Sequence, residues 1–563
     1  MIRCHLFIFL FSLAAITHGQ VSFWDYNPKL FYQLDHLQTS YPGLYKAHSA
    51  IRYNDPTLYI TLLDSLSSRK DHFSKQYVMD ILQEYDQLQG ALSDTLPIYT
   101  DHRGIFNTFY RGNFHLIKIQ KPQFFLTIDP MLSIHGGNNK GESIYQNTRG
   151  IKVRGSIDQK FYFYSSLYEN QRKFLPFINT RIQRWNAIPG QGFYKEYQSS
   201  VLPSFNGWDY LNAQAYVGTK ISPSIDLQFG FGNHFIGDGH RSMLLSDYAH
   251  NHLYLKLNTV VWKLHYQNLF TELAPIGSRD NNGDELLPKK YMVAHYLSFK
   301  ASPQLSIGLY EAVVFSRNNQ FEWQYLNPLI LYRSVEQFLD SPDNVLLGLN
   351  LSYIPRSKMK LYGQLMIDEF RTDQIFSNNG WWGNKIGYQL GIKAFDLFKI
   401  NNFSGFLEYN TARPYTYTHR VTSEDNYVLT SYSHYNQALA HPLGANFREV
   451  IGQLKYAPHN QWTFSVRFVK ARYGDSAEQN VGFDILLDNE TRSEDFGNVT
   501  GQGRQIDVTI LETMVRFEPF PRYYIDLRYL YRNQTGEIPV DNSKVSFISL
   551  GITANLFNQE IDY

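Results

Sequence analysis

A search of the sequence for residues that could carry out chemistry finds few candidates. The G-x-S-x-G, H-E-x-x-H and phosphate-loop patterns are absent from its 563 residues. Asp368 and Glu369 are adjacent carboxylates, but neighbouring residues of a strand point to opposite faces, so the two can share a site only at a bulge. We expect one of them to face the interior and to pair with an arginine. The sequence therefore predicts no catalytic residue, no cofactor and no enzyme activity.

One glycine-rich segment, Phe235 to Asp247 (FIGDGHRSMLLSD), concentrates side chains that could bind a ligand. Four residues in or beside it could coordinate a divalent metal: His234, Asp238, His240 and Asp247. The simpler interpretation is that they are turn and capping residues around Gly237 and Gly239, and we predict no metal site. Asp238 and Arg241 remain candidates for contact with an organic ligand.

Aromatic side chains in long polar stretches form a second group of candidates. They are Trp185, Phe193, Tyr194, Trp381, Trp382, Tyr415, Tyr417, Tyr432 and Tyr435. Flat rings beside Asn, Arg and Asp are what proteins use to stack on sugar rings and to bond sugar hydroxyls. The alternative is that these rings form an aromatic girdle or pack loops on one another. We predict a glycan site with contributions from Asp238, Arg241, Trp185, Tyr194, Trp381, Trp382, Tyr432 and Tyr435.

Strands must position these residues, because apolar side chains recur at every second position from about Gln123 onward. For example, Leu253, Leu255 and Leu257 alternate with Lys256 and Asn258. In the last such stretch Ile548, Leu550 and Ile552 alternate with small and polar residues, as in the assembly signal of outer-membrane barrels; an edge strand of a soluble β-sandwich is the alternative. About eighteen strands can be placed in this way.

Connection lengths alternate between short and long along these strands. Short turns fall near 157–158, 220–222, 262, 301–303, 355–358, 397–401, 458–460 and 519–521, and long loops at 135–147, 169–207, 234–249, 273–289, 316–343, 372–384, 413–446, 474–503 and 534–542. This sorting of loops to opposite ends is typical of a transmembrane β-barrel, which must close because hydrocarbon tolerates no unpaired sheet edge. The fold class predicted is an all-β transmembrane barrel of about 18 antiparallel strands with a small N-terminal helical region.

Composition agrees with that class. The chain has 52 Lys+Arg against 51 Asp+Glu and no basic cluster, which excludes nucleic acid as a main partner. Aromatic residues make up 16%, a content that the core of a soluble protein of this size could hold and that two interfacial girdles would also require. Six cationic side chains are expected to face a polar lumen: Lys152, Arg154, Lys256, Lys393, Arg467 and Arg528.

The N-terminal 120 residues differ from the rest. Residues 1–19 are predicted to be a secretory signal peptide, and since the single cysteine, Cys4, lies within it, the mature chain would contain none. Residues 20–120 are predicted to be a mainly helical periplasmic region, with apolar faces along Leu30 to Leu37 and Phe73 to Leu88 and with Pro28 and Pro56 as positions where helices could begin. Residues 121–563 form the predicted barrel.

Several segments together resemble the family of the gliding-motility protein RemB and the capsule-assembly protein Wzi. They are NTRGIKVRG (Asn147 to Gly155), IPGQGFYK (Ile188 to Lys195), FIGDGHRSMLLSD, LNPLILYRSVEQF (Leu326 to Phe338), DNVLLGLNL (Asp343 to Leu351) and YGQLMIDEF (Tyr362 to Phe370). The resemblance implies an eighteen-stranded outer-membrane barrel that acts without enzyme activity as a surface lectin or anchor for exported polysaccharide, or as an adhesin in gliding.

The function expected is therefore an outer-membrane surface protein that binds exported polysaccharide for gliding motility, adhesion or capsule attachment. A porin-like channel or transporter is the alternative, and the state of the lumen separates the two. Ser316 to Asp343 is long and apolar enough to be expected as a plug. The partners expected are outer-membrane lipid, surface polysaccharide and other motility or adhesion proteins, with the long loops on the cell surface.

Overall fold

A computed structural model of the protein describes residues 28–52, 62, 65–66, 115–158, 160–199, 206–275, 287–317, 319–329, 331–339, 341, 343–369, 371–375, 377, 379–420, 429–476, 478–556 and 561–563. The predicted signal peptide, the helix start predicted at Pro56, the predicted helix at 70–88 and most of the predicted N-terminal region lie outside these residues.

The described helices are α1 (Pro28–Ser40), α2 (Pro176–Trp185), α3 (Tyr332–Leu339) and the single turn α4 (Thr372–Ile375), with 3-10 turns at Trp323–Leu326, Leu397–Lys399, Asn489–Thr491 and Pro539–Asp541. The strands are β1 (Ile117–Lys121), β2 (Phe124–Asn139), β3 (Glu142–Ile157), β4 (Phe161–Arg172), β5 (Tyr194–Gln198), β6 (Asn206–Ser222), β7 (Ile225–Gly232), β8 (His252–Val261), β9 (Leu264–Leu273), β10 (Lys290–Lys300), β11 (Leu305–Phe315), β12 (Asn344–Arg356), β13 (Met359–Glu369), β14 (Lys385–Ala394), β15 (Phe403–Ala412), β16 (Ser433–His434), β17 (Gln437–Ala438), β18 (Phe447–His459), β19 (Trp462–Asp475), β20 (Arg504–Phe520), β21 (Tyr523–Gly536) and β22 (Ser543–Ala554). No described helix has both the length and the apolar character needed to cross a membrane.

Eighteen of these strands form one closed antiparallel barrel, which confirms the predicted fold class. They are β2–β4, β6–β15 and β18–β22, each paired with its neighbours in the chain. Closure is made by β22 with β2, from Leu132 opposite Ala554 to Asn139 opposite Phe547. Backbone N–H and C=O groups along the wall are thus paired around the whole ring, as a hydrocarbon environment requires.

Connections sort to two ends of the barrel, here called the short-turn end and the long-loop end. The β2–β3 connection departs from the prediction: it lies at the long-loop end, yet it is a two-residue turn, and the loop expected at 135–147 is wrong. Lys140 and Gly141 both have positive φ (50° and 93°), the geometry of a tight hairpin turn. Polar side chains continue the alternation of β2 and β3 outward, so the sequence there resembled a loop.

Apolar residues face outward around the wall. On β22, Ile548, Leu550 and Ile552 are each more than half exposed, whereas the residues between them are largely buried. Comparable exposed leucines occur on the far side of the ring, such as Leu309. The inward faces carry polar and charged residues, among them Lys152, Arg154 and Arg467, which are buried. The period-two alternation therefore assigned the two faces of the wall.

Candidate functional site

The lumen of the barrel is entered from the short-turn end by residues 28–52, here called the N-terminal plug. Its helix α1 covers Pro28–Ser40. The Asp35 carboxylate binds Lys360 Nζ (3.0 Å) and Lys393 Nζ (2.6 Å), on β13 and β14. Burial alone would raise the pKa of Asp35, but the two ammonium groups outweigh it and lower this pKa to about 2. The helix is therefore held to the wall by an ionised carboxylate.

The plug continues along the lumen beyond α1. Lys300 Nζ donates to the carbonyl oxygens of Tyr45 and Ala47, the latter at 3.1 Å. His48 Nδ1 lies 2.8 Å from Ser298 Oγ, and burial together with the charge of Lys300 lowers the pKa of His48 to about 4. These contacts fix the backbone against the inner face of β10.

Residues 233–251, here called the inner loop, fold into the lumen from the long-loop end and meet the N-terminal plug. Gly237 N donates to the Ala50 carbonyl oxygen (2.8 Å), and Ile51 and Ile236 form an isolated β-bridge. The φ of Gly237 is 150°, and a Cβ there would lie 2.5 Å from Gln364 Nε2. Glycine is required here by both backbone conformation and space.

Asp238 is a buried residue of the inner loop that contacts both the N-terminal plug and the barrel wall. Its carboxylate lies 2.5 Å from Lys360 Nζ and 2.5 Å from Ser49 Oγ, and it accepts from Asn350 Nδ2 at 3.2 Å. The residue is 4% exposed. These partners belong to the N-terminal plug, β12 and β13. The carboxylate therefore locks the inner loop to the N-terminal plug and to the wall.

Arg241 is the centre of a second buried network in the upper lumen. Its guanidinium binds the Asp562 carboxylate and lies 3.4 Å from Glu449 Oε1, while its backbone N donates to Glu408 Oε1 at 3.0 Å. Burial alone would raise the pKa of Asp562, but Arg467 and Arg241 together hold it below its ordinary value. Residues 561–563 thus return into the lumen, where Tyr563 Oη also donates to Glu449 (2.6 Å).

The inner loop is covered from the long-loop end by residues 413–420 and 429–446. Tyr417 and Tyr432 stack with centroids 5.8 Å apart, and their hydroxyls donate to the carbonyl oxygens of Met243 (2.7 Å) and Leu244 (2.8 Å). Tyr432 Oη also lies 2.6 Å from Tyr310 Oη of the wall. Tyr432 is fully buried, so its ring packs loops together.

A cavity of about 380 Å³ remains beside the inner loop among the described residues. It is bounded by α1, the inner loop and the inner faces of several strands, and Asp35, Arg52, His240, Gln453 and Lys455 are among its lining residues. The volume falls within the range of about 300–1,000 Å³ typical of small-molecule pockets.

Trp381 and Trp382 form an aromatic patch on the β13–β14 loop. Both are half-buried, and their ring centroids are 5.9 Å apart. The guanidinium carbon of Arg492 lies 4.2 Å from the Trp382 ring centroid, and that of Arg371 lies 5.6 Å from the Trp381 centroid. Trp382 N donates to the Asp495 carbonyl oxygen (2.9 Å), so the β19–β20 loop holds the pair in place.

Trp185 lies in a separate aromatic group at the end of α2. Arg181 and Arg184 place their guanidinium carbons 4.5 Å and 4.8 Å from its ring, and its backbone carbonyl accepts from Asn436 (2.9 Å). Two other predicted glycan residues, Tyr194 and Tyr435, lie near this group, since each contacts or adjoins a residue that touches Trp185 or its neighbour Asn186. Tyr194 Oη donates to Asn186 (2.6 Å), and the Tyr435 ring packs against His250 and His434.

The adjacent carboxylates Asp368 and Glu369 sit at a register shift in β13, between Ile367 and Glu369. Glu369 forms an ion pair with Lys385 (3.1 Å), and Asp368 accepts from the backbone N of Tyr417 (2.6 Å). The prediction of an arginine partner is therefore wrong, because the partner of Glu369 is a lysine and that of Asp368 is a backbone N–H.

The segment expected as a plug, between 316 and 343, packs on the outer face of the barrel. Its Tyr332 contacts His295, whose side chain points away from the lumen. The prediction is wrong because apolar loop residues can cover either face of a sheet, and the lumen is already filled by the two other segments.

No family model and no curated protein matches this sequence. Among solved structures, the comparison finds Wzi of Escherichia coli, described as an outer-membrane protein involved in group 1 capsule assembly and as a carbohydrate-binding β-barrel. The two are 13% identical, the match covers 96% of this chain and 100% of that one, and the TM-score is 0.57. The chain shares its fold with Wzi.

Two further solved structures also match, over a smaller part of the chain. OprD of Pseudomonas aeruginosa is 11% identical, with 76% of this chain and 94% of that chain covered and a TM-score of 0.41. OccAB2 of Acinetobacter baumannii is 8% identical, with 76% and 97% covered and a TM-score of 0.42.

Of the residues whose side chains bind the N-terminal plug, the inner loop and residues 561–563 to the wall, the sequence singled out Asp238, Arg241, Lys393 and Arg467. Those missed are Asp35, Lys360, Glu408, Glu449 and Asp562. A signal was present in the strands, because Glu408 and Glu449 occupy inward positions of the alternation and a buried carboxylate needs cationic or hydrogen-bonding partners. The alternation does not say which segment supplies those partners.

Proposed function

We propose that the protein is a non-enzymatic outer-membrane barrel that binds exported polysaccharide at its long-loop end. The long loops face the cell exterior, and the N-terminal plug enters from the periplasm. Polysaccharide bound in this way would be held at the cell surface for capsule attachment, adhesion or gliding motility, alone or with other surface proteins.

The main support for this proposal is that the N-terminal plug and the inner loop occupy the lumen. A transporter needs a continuous water-filled path, whereas here the N-terminal plug and the inner loop are joined through Asp238 and anchored to the wall by buried ion pairs. Taking apart such pairs is costly because each leaves an uncompensated charge in a low-dielectric interior. The filled lumen therefore favours a surface-binding role over conduction.

The Trp381–Trp382 patch is the part of the predicted glycan site best suited to contact polysaccharide. Its two rings are half-buried, and the guanidinium groups of Arg371 and Arg492 lie over them. Aromatic rings next to guanidinium groups suit a polysaccharide whose sugars carry carboxylates or hydroxyls. Trp185 with Arg181 and Arg184 offers the same chemistry. Tyr194 and Tyr435 lie at the margin of that second group.

Asp238, Arg241 and Tyr432 receive a different role in the proposal. Each is buried and bonded to other parts of the protein, so they hold the plug and the covering loop on which the aromatic groups rest. The fold shared with Wzi, a carbohydrate-binding barrel, supports the same function.

The test is binding of purified bacterial capsular and exported polysaccharides, arrayed on a surface, to the detergent-solubilised protein. We expect binding of at least one polysaccharide, and its loss in the double variant Trp381→Ala/Trp382→Ala. Trp462→Ala is the matched control, because Trp462 is 40% exposed at the short-turn end and should not contact the ligand. Equal loss in both variants, or no binding by the wild type, would contradict the proposal.

A porin-like channel remains the second candidate because of the cavity of about 380 Å³ beside the inner loop. Lys455 in its lining could attract anions into the lumen, whereas Lys393 is already paired with Asp35. Conductance separates the two functions, since a binding protein with a filled lumen should carry no large steady current.

A further inference from the structure

The outer wall of the barrel carries a row of polar side chains where apolar ones are expected. Asn268, His295 and Glu311 lie side by side on β9, β10 and β11 in direct register. Leu257 on one side and Leu347 on the other continue the same row. Leu347 is 42% exposed and belongs to the outward apolar surface, so the polar row lies at the level of that surface.

Each polar side chain in the row is covered by the β11–β12 connection, whose described residues between 316 and 343 are here called the flap. Asn268 Nδ2 donates to the Pro328 carbonyl oxygen (3.1 Å), and Glu311 Oε1 accepts from Arg333 N (3.2 Å) at the start of α3. His295 is hydrogen-bonded to the Tyr332 hydroxyl. All three wall residues are less than 10% exposed. The flap thus supplies the hydrogen bonds that hydrocarbon could not.

Above the polar row the flap and the wall share a small apolar core. Tyr325, Tyr332 and Val335 of the flap are buried against outward residues of β10, β11 and β12: Tyr291, Val293, Val313, Phe315 and Val345. At the base of the flap Arg317 binds both oxygens of Asp343 (2.7 and 2.6 Å). The flap is therefore a packed layer on the wall and not a loose loop.

The side of the flap that faces away from the barrel is apolar and exposed. Trp323, Leu329, Leu331 and Phe338 are 74%, 82%, 69% and 83% exposed. The charged pair on α3, Arg333 and Glu336, is neutralised by an ion pair of 2.5 Å. Such a surface is unfavourable in water, because apolar side chains lose free energy when they leave water for an apolar environment.

We propose that the flap is embedded in the outer leaflet, with Leu329, Leu331 and Phe338 in contact with lipid acyl chains. The proposal rests on the proposed outer-membrane location. Lipid is the occupant because the exposed face continues the apolar belt of the wall: Leu309, one row closer to the short-turn end, is 56% exposed, and Leu550 across the ring is 59% exposed. The flap replaces a polar stretch of wall with an apolar one.

Spin labelling tests this proposal, since the only cysteine of the sequence, Cys4, lies in the predicted signal peptide. Single variants Leu331→Cys and Phe338→Cys carry a nitroxide in the full protein, reconstituted in phosphatidylethanolamine–phosphatidylglycerol vesicles. Leu550→Cys on the wall is the lipid control, and Val540→Cys, 81% exposed in the β21–β22 connection, is the water control. Power saturation compares collision of each label with oxygen and with a water-soluble nickel chelate.

The expected result is that both flap labels match Leu550→Cys, with oxygen collisions dominant. Flap labels that match Val540→Cys would place the flap in water and overturn the proposal. Flap labels shielded from both reagents would mean that a second copy of the protein covers the flap instead of lipid, which also overturns the proposal. Failure of Leu550→Cys to contact lipid would instead refute the outer-membrane location, so the two failures are distinguishable.

Discussion

Asp238 shows how one buried carboxylate holds three segments of the chain together. Its side chain contacts Ser49 of the N-terminal plug, Asn350 of β12 and Lys360 of β13. Lys360 is also fully buried and has Asp35 as its second anionic partner. The pair is therefore shielded from solvent, in contrast to ion pairs on the rim of the barrel.

Asp238→Asn should destabilise the protein markedly. It removes one anionic partner of a buried ammonium, and breaking a buried pair costs about 3 kcal/mol. The measurement is the temperature at which the folded barrel unfolds in detergent. Asp247→Asn is the matched control in the same loop: its pair with Arg52 is partly exposed (33% and 21% for the two side chains), so its loss should cost less than about 1 kcal/mol. Equal effects would contradict the role given to Asp238.

His48 should make attachment of the N-terminal plug depend on pH. Burial and Lys300 lower the pKa of the docked imidazole to about 4, whereas a detached segment would titrate near 6.5. Protonation therefore favours the detached state: the contribution of His48 is complete above pH 6.5 and is lost as the pH falls toward 4. His265, whose ring centroid is 5.6 Å away, and Ser298 are its other neighbours.

Hydrogen exchange of residues 40–52, corrected for the intrinsic effect of pH, measures this detachment. Exchange should accelerate between pH 6.5 and about pH 4 in the wild type. His48→Gln cannot be protonated and should show a weaker dependence. If the pH dependence of exchange were the same in His48→Gln as in the wild type, titratable groups other than His48 would cause it, which would contradict the prediction.

At the scale of elements, the inner loop depends on close approach to the wall at Gly239. A Cβ at this position would lie 2.6 Å from Gln389 Oε1, 2.6 Å from Glu408 Oε2 and 2.7 Å from the Arg241 carbonyl oxygen. Glu408 is itself held by the backbone N–H groups of His240 (2.7 Å) and Arg241 (3.0 Å). There is no room for a side chain without moving the loop.

Gly239→Ala should therefore displace the inner loop while the barrel stays closed. We expect faster protease cleavage within 233–251 and little change in the strand signal of circular dichroism. Gly136→Ala provides a control on β2, where an added Cβ has no neighbour within 4 Å. Protection of the loop equal to wild type would show that the close packing around Gly239 is not needed.

The strands were the most predictable elements. Alternation such as Leu253, Leu255 and Leu257 against Lys256 and Asn258 fixes both the strand and its two faces, because a one-residue slip would turn every apolar side chain inward. The helical spacing of apolar residues from Leu30 to Leu37 likewise predicted the described part of α1. The β2–β3 turn did not, since strands that extend beyond the apolar belt carry polar residues on both faces.

Which loop fills the lumen was not predictable from loop composition. The flap has Leu326, Leu329 and Leu331, which could face either the lumen or the exterior. The informative residues were in the wall, where His295 and Glu311 occupy outward positions that require a cover. Recognising them needs the register of neighbouring strands, which the sequence alone leaves open. The predicted glycan residues were likewise separated by structure into buried and half-exposed groups.

At the scale of the whole molecule, the barrel is a wall filled from both ends. The N-terminal plug enters at the short-turn end, the inner loop at the long-loop end, and residues 561–563 join the inner loop to β18 and β19 through Arg241, Glu449 and Arg467. These connections leave the long loops, with their aromatic and arginine groups, as the accessible surface. A filled barrel of this kind suits the anchoring of a ligand outside the membrane.

Single-channel conductance of the purified protein in a planar lipid bilayer tests this account most directly. The account predicts no large steady conductance for the wild type, because the N-terminal plug and the inner loop are held by buried ion pairs. It predicts transient current in Gly239→Ala, because that substitution displaces the inner loop. A large steady conductance of the wild type would contradict the account and would favour a porin-like channel.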